Sequence, residues 1–412
     1  MRAGFALSAL AMFLVSGLVG CNSTDSPVAK LPYAGSTCVV SPLANVDHLP
    51  VISELPNPFK GMTGKLITTK KDWICRRAEI GAQAQAYELG VKPGVPAHVS
   101  AELQGENLVV RVADKGHEIR FTAKITYPKT GKAPYPAMIG MGGSWINNEE
   151  LAKQGVAVIQ FPNNDIAEQL NGSSRGKGKF FELYGAEHSA GALMAWAWGV
   201  SRLIDGLEKT PASQINASRL GVTGCSRNGK GALVAGAFDE RIKLTIPQES
   251  GSGGSSSWRV SDDQKAKGQN VQTSSQIVTE NVWFSENFKQ FSQSANRLPF
   301  DHHSLMGMVA PRGLLVIENT SMEWLGNRSA YTASLAAREI WRALGEENSF
   351  GFSQLGGHNH CQYPQAQVPE LNAFVQKFLL DDAKADTAIF KSDQEFAVDK
   401  DRWINWKTPK LK

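Results

Sequence analysis

The stretch that decides the fold of this chain is residues 221–232, which read GVTGCSRNGKGA. A short apolar run ends at a serine, and small helix-forming residues follow at once, which predicts a strand, a tight turn and a helix. A serine on such a turn presents its hydroxyl above the sheet edge, with the N-terminus of the helix behind it. We therefore predict that Ser226 is a nucleophile on a nucleophile elbow.

The glycine spacing departs from the Gly-x-Ser-x-Gly pattern of such elbows. Asn228 occupies the position two residues after the serine, and Gly229 follows one residue later. The motif alone therefore leaves a second interpretation open, in which Gly224 and Gly229 only allow the strand and the helix to pack closely. Other parts of the chain must decide between the two.

The order of predicted elements around the elbow is that of an α/β-hydrolase. Residues 107–113 and 118–126 alternate apolar and polar side chains, which predicts a β-hairpin. Nearly continuous apolar runs predict central parallel strands that are covered on both faces. Those runs are residues 135–143, 155–161, 242–247 and 314–318, and helical spacing occurs at 69–89, 190–206 and 330–344. We therefore expect one α/β-hydrolase catalytic domain over residues 36–412, a three-layer αβα sandwich with a mostly parallel sheet.

One segment is long for a connection within such a domain. Residues 251–257 are rich in glycine and serine, and a polar stretch continues to about residue 276. Loops of this length are usually functional or mobile. We expect this segment to be one or the other.

Composition limits the classes of protein that fit. The 412 residues are 42% hydrophobic, which is enough for a large core and argues against disorder. The 43 basic and 39 acidic residues give a net charge of +4 without a long basic run. This balance gives no indication of a nucleic-acid partner.

The N-terminal residues resemble an export signal. Residues 1–21 combine Arg2 with an apolar segment and end in LVGC, which resembles the lipobox of bacterial lipoproteins. We expect Cys21 to be lipidated and residues 22–35 to form a polar tether, and Asn22 favours the outer membrane. An ordinary secretory signal, with an incidental cysteine, is the alternative. Either interpretation predicts an exported protein of the cell envelope or periplasm.

A serine esterase needs a base for the hydroxyl proton, and the chain has eight histidines. Only His358 and His360 lie on a late loop, residues 356–361 (GGHNHC), in which two glycines allow a bend toward the elbow. For His302 and His303 we favour a structural role at the start of a helix.

The cysteines help to choose between the two late histidines. Apart from Cys21, the chain has four cysteines, namely Cys38, Cys75, Cys225 and Cys361. An even number in an exported chain predicts two disulfides, with three possible pairings, and no Cys-x-x-Cys spacing favours zinc. Cys225 precedes Ser226 and Cys361 follows His360, so a bridge between them would fix nucleophile and base together. We therefore predict the pairs Cys225–Cys361 and Cys38–Cys75, with His360 as base and His358 as reserve.

The acid that orients the base has three possible identities. Glu249 stands just past the predicted strand 242–247, at the carboxyl edge where such sites form. Glu318 and Glu323 flank the end of the following strand, which is the commoner place for a hydrolase acid. Position favours Glu249 without excluding the other two.

Several sequence blocks resemble the glucuronoyl esterases of carbohydrate esterase family 15. They are GCSRNGKGA (224–232), PQESG (247–251), WLG (324–326), GHNHC (357–361), LPNPF (55–59) and the W-x-C-R-R at 73–77. The resemblance runs from about residue 36 to about residue 380 and accounts for the displaced glycine. It implies that Ser226 is the nucleophile, Glu249 the acid and His360 the base.

The resemblance also implies a set of residues that bind the substrate. Arg227 would stabilise the oxyanion, and its fixed guanidinium suits a developing negative charge. Lys230 lies one helical turn past Ser226 and would hydrogen-bond sugar hydroxyls. Gln272, Glu280 and Trp324 would also contact the sugar, although Trp324 could instead be an ordinary core aromatic residue.

Glu323, beside Trp324, is a departure from the fungal members of this family and is a possible second acid. If Glu323 orients His360, a Glu249→Ala protein would keep much of its turnover.

The function that the resemblance implies is a serine esterase without metal or cofactor. It would cleave esters between 4-O-methyl-glucuronic acid of glucuronoxylan and lignin alcohols through a glucuronoyl-serine intermediate. Separately, we expect a monomer whose membrane contact is limited to the lipid anchor. One alternative is a xylan acetyl esterase on the same fold. A second is a non-catalytic envelope protein that binds carbohydrate.

Overall fold

A mixed sheet of ten strands forms the centre of the computed structural model, which describes Met1, residues 38–143 and residues 146–412. Apart from Met1, the predicted signal peptide with Cys21 and the predicted tether at 22–35 lie outside the described residues. The described residues from Cys38 onward belong to one compact unit. Within this part of the chain, no helix is long and apolar enough to cross a membrane.

The strands are β1 (His98–Gln104), β2 (Asn107–Asp114), β3 (His117–Thr126), β4 (Tyr135–Met141), β5 (Ala157–Phe161), β6 (Ile215–Cys225), β7 (Ile242–Gln248), β8 (Gly313–Glu318), β9 (Phe350–Gln354) and β10 (Phe390–Ser392). Their order in the sheet is β1-β2-β3-β5-β4-β6-β7-β8-β9-β10. The first three strands pair antiparallel with their neighbours, and all pairs from β5 to β10 are parallel. The predicted α/β-hydrolase class with a mostly parallel sheet is confirmed.

The helices are α1 (Lys70–Ala84), α2 (Asn148–Lys153), α3 (Asn163–Ile166), α4 (Lys179–Tyr184), α5 (Ala192–Lys209), α6 (Arg227–Phe238), α7 (Trp258–Ala266), α8 (Ser274–Glu280), α9 (His302–Gly307), α10 (Asn327–Leu344), α11 (Val368–Leu379) and α12 (Lys400–Trp403). Because successive side chains of a strand point to opposite faces, the parallel strands bury two separate apolar sets. Met138 and Ile317 pack with α2 and α11 on one face. Ile139, Val222 and Val316 pack with α5, α6 and α10 on the other.

The helix predicted over residues 69–89 is present, with a change of geometry near its end. Helix α1 begins after Thr69, whose hydroxyl accepts a hydrogen bond from the Asp72 amide while the Asp72 carboxylate accepts one from the Thr69 amide. This capping box satisfies two of the amides that a helix start leaves unpaired. The chain then continues through a π-helical turn, Gln85–Leu89.

Some other element boundaries differ from the predictions by two or three residues. Strand β5 begins at Ala157 rather than at Gly155, because Gly155 has a left-handed backbone with φ of 75°. Helix α10 begins at Asn327, three residues before the predicted start, and ends as predicted at Leu344, where Gly345 has φ of 80° and caps the helix. Strands β1, β9 and β10 and helix α11 were not predicted.

The stretch from residue 251 to about residue 276 is not one long connecting loop, as the sequence led us to expect. Residues 258–266 form helix α7, which begins where the Ser257 hydroxyl accepts a hydrogen bond from the Val260 amide. Trp258 and Val260 are fully buried. The sequence did not predict this helix because its buried face is largely serine, arginine and glutamine and so lacks an apolar pattern. Residues 251–257 are themselves buried rather than exposed.

Candidate active site

The elbow forms as predicted between β6 and α6. Ser226 has φ of 60° and ψ of −126°, a backbone conformation that costs about 1–3 kcal/mol for a residue with a side chain. A Cβ atom at Gly224 would lie 2.5 Å from the Asn228 carbonyl oxygen, and one at Gly229 would lie 2.7 Å from the Gln248 carbonyl oxygen. Both glycines are therefore needed for close packing, and that packing is part of what builds the elbow.

Asn228 links the elbow to the neighbouring strand ends. Its side-chain oxygen accepts a hydrogen bond at 3.0 Å from the side-chain Nδ2 atom of Asn163, a residue that follows β5. The loop after β4 comes equally near, since a Cβ atom at Gly142 would lie 2.4 Å from the Asn228 Nδ2 atom. A side chain therefore occupies the space that the usual motif leaves to glycine.

Glu249, the predicted acid, lies directly after β7 and is fully buried. Its Oε2 atom is 2.8 Å from Nδ1 of His360 and also accepts hydrogen bonds from the Cys361 amide at 3.0 Å and the Asn319 side chain at 3.4 Å. A carboxylate on Nδ1 selects the tautomer in which Nδ1 carries the proton, which leaves Nε2 as an acceptor. Glu249 can therefore orient His360 as a base.

The two late histidines have different environments. Both ring nitrogens of His358 contact backbone carbonyls, those of Leu355 at 3.1 Å and Asn359 at 3.0 Å, and its side chain is 5% exposed. The side chain of His360 is 29% exposed, and Glu249 occupies its Nδ1 atom. Of the two histidines, only His360 combines a carboxylate on Nδ1 with partial exposure, which agrees with its prediction as the base.

Both predicted disulfides are present. Cys225 and Cys361 are bonded with a Cα–Cα distance of 5.6 Å, and Cys38 and Cys75 with one of 5.2 Å. A ring nitrogen of His360 and the two sulfurs of the first pair lie within 4.8 Å of one another. These sulfurs are bonded to each other and so offer no thiolate to a metal ion. The bridge instead holds the base loop against the elbow.

The other two carboxylates considered as acids have different partners. Glu323 is exposed, and its Oε1 atom accepts a hydrogen bond from the Asn270 amide at 3.3 Å. Glu318 is fully buried, and its Oε1 atom accepts hydrogen bonds from the Ser250 and Gly251 amides. Neither carboxylate is hydrogen-bonded to a late-loop histidine, so the geometry gives no support to the prediction of a second acid at Glu323.

Arg227 is held at the first position of α6 by two residues that the sequence did not reveal. Its Nη1 atom is 3.4 Å from the side-chain oxygen of Gln169, and its guanidinium lies 5.1 Å from the ring centre of Trp283. The Trp283 indole donates a hydrogen bond to the same oxygen at 3.0 Å. No motif marks Gln169 or Trp283, and only the fold brings them to the elbow.

Lys230 is almost completely buried, at 3% exposure. Its ammonium donates a hydrogen bond to the Ser250 carbonyl and lies 5.9 Å from the ring centre of Trp283. Burial lowers the pKa of Lys230 to about 8, although the charges of Glu318 and Glu280 act in the opposite direction. An ammonium has three donors, so two remain for a ligand.

The remaining predicted sugar contacts form a connected group. The Gln272 side chain donates a hydrogen bond to the Glu280 carboxylate at 3.2 Å, and the Gln272 amide donates one to the Trp324 carbonyl at 3.0 Å. The Trp324 ring meets the His360 ring edge to face, with 5.6 Å between centres. Trp324 is half-buried rather than a core residue. The fold thus connects the three residues, and Trp324 among them contacts His360.

Comparisons with known proteins agree with this geometry. Residues 110–345 match the family described as "Glucuronyl esterase, fungi". The chain is 49% identical over 377 residues to the 4-O-methyl-glucuronoyl methylesterase of Hypocrea jecorina, which covers 92% of this chain and 80% of that protein.

Solved structures give the same result. The glucuronoyl esterase catalytic domain from Hypocrea jecorina has a TM-score of 0.87 at 49% identity and covers 90% of this chain and 100% of that one. A glucuronoyl esterase mutant from Sporotrichum thermophile, solved in complex with methyl 4-O-methyl-beta-D-glucopyranuronate, has a TM-score of 0.86 at 46% identity and covers 92% of this chain and 100% of that one.

Proposed function

This chain belongs to the glucuronoyl esterase family, and we propose on that premise that it hydrolyses esters between 4-O-methyl-D-glucuronic acid of glucuronoxylan and lignin alcohols. The observation that carries the proposal is the hydrogen bond between Glu249 and His360, on a loop bonded through Cys361 to the residue before Ser226. This arrangement supplies a nucleophile, a base and an acid in the order of a serine esterase.

The reaction would begin at the Ser226 hydroxyl. Its oxygen attacks the uronate carbonyl carbon while its proton passes to Nε2 of His360. The Glu249 carboxylate stabilises the imidazolium through its hydrogen bond to Nδ1. Protonated His360 then returns the proton to the alcohol oxygen as the ester bond breaks, which leaves a glucuronoyl-serine. Water, activated by the same histidine, hydrolyses this intermediate.

Negative charge on the carbonyl oxygen would be stabilised from the start of α6. The backbone amide of Arg227 is the first of the helix and has no acceptor within it. The Arg227 guanidinium adds a fixed positive charge, which Gln169 and Trp283 hold in one orientation. Donors fixed before the reaction avoid the cost of reorganisation as charge develops.

The uronate ring would lie between Lys230 and Trp324. The free donors of Lys230 and the paired side chains of Gln272 and Glu280 suit the hydroxyl groups of a sugar, while the indole of Trp324 offers an apolar face. These polar side chains favour a substrate whose acyl group is a sugar acid. An acetyl group, the acyl group of a xylan acetyl esterase substrate, has no hydroxyl groups for them to bind. The hydrogen bond between Glu249 and His360, and the disulfide that ties the His360 loop to the residue before Ser226, support an enzyme over a carbohydrate-binding protein.

Two assays test this function with the wild type and a Ser226→Ala variant. Methyl or benzyl 4-O-methyl-glucuronate should release its alcohol with the wild type and not with the variant. Acetylated xylan, offered in parallel, should release little acetate. Acetate release without attack on the glucuronate ester would refute the proposed substrate, and equal activity of the variant would refute the mechanism.

Further proposals concern the location and organisation of the chain. We infer export, because two disulfides form in oxidising compartments. We also propose a single catalytic domain over residues 36–412, a monomer, and an outer-membrane lipid anchor at Cys21. Mass spectrometry of membrane-extracted protein should show a lipidated Cys21 as the first residue. A cleaved chain without lipid would refute the anchor.

A further inference from the structure

Glu318 is a buried carboxylic acid for which the proposed mechanism has no step. It is the last residue of β8 and is fully buried. Its Oε1 atom accepts hydrogen bonds from the Ser250 amide at 3.1 Å, the Gly251 amide at 3.4 Å and the hydroxyls of Ser250 and Ser255. Its Oε2 atom is buried without a hydrogen-bond partner. A buried carboxyl group is costly, so its retention calls for a reason.

Three successive residues at the end of β8 form hydrogen bonds to residues 249–251, the segment that begins with Glu249. The Ile317 carbonyl accepts a hydrogen bond from the Glu249 amide at 2.6 Å, Glu318 accepts those of the next two amides, and the Asn319 side chain donates to the Glu249 carboxylate at 3.4 Å. Glu249 has φ of 45°, a strained value for a residue with a side chain. Such a conformation persists only where neighbouring groups fix it.

The peptide between Ser250 and Gly251 is held at both of its polar groups. Its carbonyl accepts the hydrogen bond of Lys230, and its amide donates to Glu318. A movement of this peptide would therefore displace both the acid Glu249 and the ammonium of Lys230.

We propose that Glu318 is a positioning residue that fixes the backbone of residues 249–251, and so holds Glu249 against His360 and Lys230 toward the uronate ring. This inference rests on the proposed function, because the consequence of its loss is read in esterase turnover. Among the described residues, Glu318 is hydrogen-bonded to Ser250, Gly251 and Ser255 and not to His360.

The protonation state of Glu318 should change the strength of its hydrogen bonds to the backbone amides of Ser250 and Gly251. Burial, together with the charge of Glu249, raises the pKa of Glu318 to about 7, although its hydrogen bonds act in the opposite direction. Among the described residues, the titratable side chains that contact residues 249–251 from other elements include Lys230, His360 and His358, as well as Glu318 itself. An ionised carboxylate accepts stronger hydrogen bonds than a neutral one, so the amides are held more firmly above neutral pH.

The test compares Glu318→Gln and Glu318→Ala with the wild type on methyl 4-O-methyl-glucuronate. Glu318→Ala should lower kcat about 10- to 100-fold at every pH, with KM within about threefold, because small displacements of catalytic groups cost that much. Glu318→Gln retains an acceptor and resembles the protonated acid. Its kcat should lie within about twofold of wild type near pH 5.5 and about five- to tenfold below it near pH 8.5.

Glu370→Gln is the matched control, since Glu370 is a buried carboxylate on α11. Its ratio to wild type should not change with pH. A wild type that fails to cleave the ester refutes the proposed function. An active wild type whose Glu318→Gln ratio is constant with pH, or whose Glu318→Ala variant keeps full kcat while its melting temperature falls, refutes the positioning role alone.

Discussion

Removal of the Cys225–Cys361 bridge should separate the catalytic from the structural contribution of a disulfide. The bridge closes a loop of 136 residues, and that of Cys38–Cys75 one of 37 residues. In the chain-entropy account, these closures contribute about 5 and about 4 kcal/mol to the free energy of unfolding. Double alanine variants of the two pairs should therefore lose similar stability, which urea unfolding measures.

Turnover should respond differently in the two variants. The first bridge joins the residues next to Ser226 and His360, whereas the second ties residue 38 to α1. Without the first bridge, the loop that carries His360 loses its covalent link to the elbow and keeps only hydrogen bonds, such as those to Glu249, Ser321 and Asp393. We therefore expect kcat on methyl 4-O-methyl-glucuronate to fall about 10- to 100-fold. Without the second, kcat should stay within about twofold of wild type under conditions where the variant is folded. Equal losses of kcat in both variants, or none in the first, would refute this reasoning.

Three further changes test other contacts. Glu249, and not Glu323, is hydrogen-bonded to His360. Glu249→Ala should therefore lower kcat about 10³- to 10⁴-fold, and Glu323→Ala should lower it less than twofold. A larger loss of kcat in Glu323→Ala than in Glu249→Ala would identify Glu323 as the acid. Gln169→Ala should lower kcat about tenfold with little change in KM, since it frees the Arg227 guanidinium; an increase in KM alone would place Gln169 in ground-state binding. The pKa of Glu318 is about 7 in the folded chain against 4.5 for a free side chain, so its contribution to stability is present below pH 4.5 and is lost as pH rises to about 7. Thermal melts should show Glu318→Gln gaining up to about 3 kcal/mol relative to wild type over that window, and a difference that is constant with pH would contradict the raised pKa.

The elements and residues that the sequence predicted share a physical basis. Strand β6, the turn and helix α6 follow from contiguous residues, and the placement of His360 follows from one disulfide beside the elbow. Local patterns report local structure, and a cysteine pair adds one long-range contact.

The contacts that the sequence did not predict depend on tertiary structure. Gln169 and Trp283 are separated by 114 positions, and neither lies in a motif. Helix α7 buries polar side chains, so its sequence lacks the apolar period by which amphipathic helices are found. The role of Glu318 depends on the paired ends of β7 and β8, which only the assembled sheet brings together. Hydrogen-bond partners distant in sequence leave no periodic signal.

Asn228 has a consequence for how proteins of this kind are recognised and redesigned. A search with the five-residue hydrolase signature would miss Ser226, although this serine has the required backbone conformation, and would find only the unrelated GSSRG at residues 172–176. Restoring the signature by Asn228→Gly would not repair a defect. It would delete the hydrogen bond from Asn163 and open a gap beside Gly142, whose lack of a side chain leaves room for the asparagine. The six-residue spacing from Gly224 to Gly229 is therefore another way to build the same turn. It requires both the side chain of Asn228 and the absence of a side chain at Gly142, so a redesign must keep the two residues together.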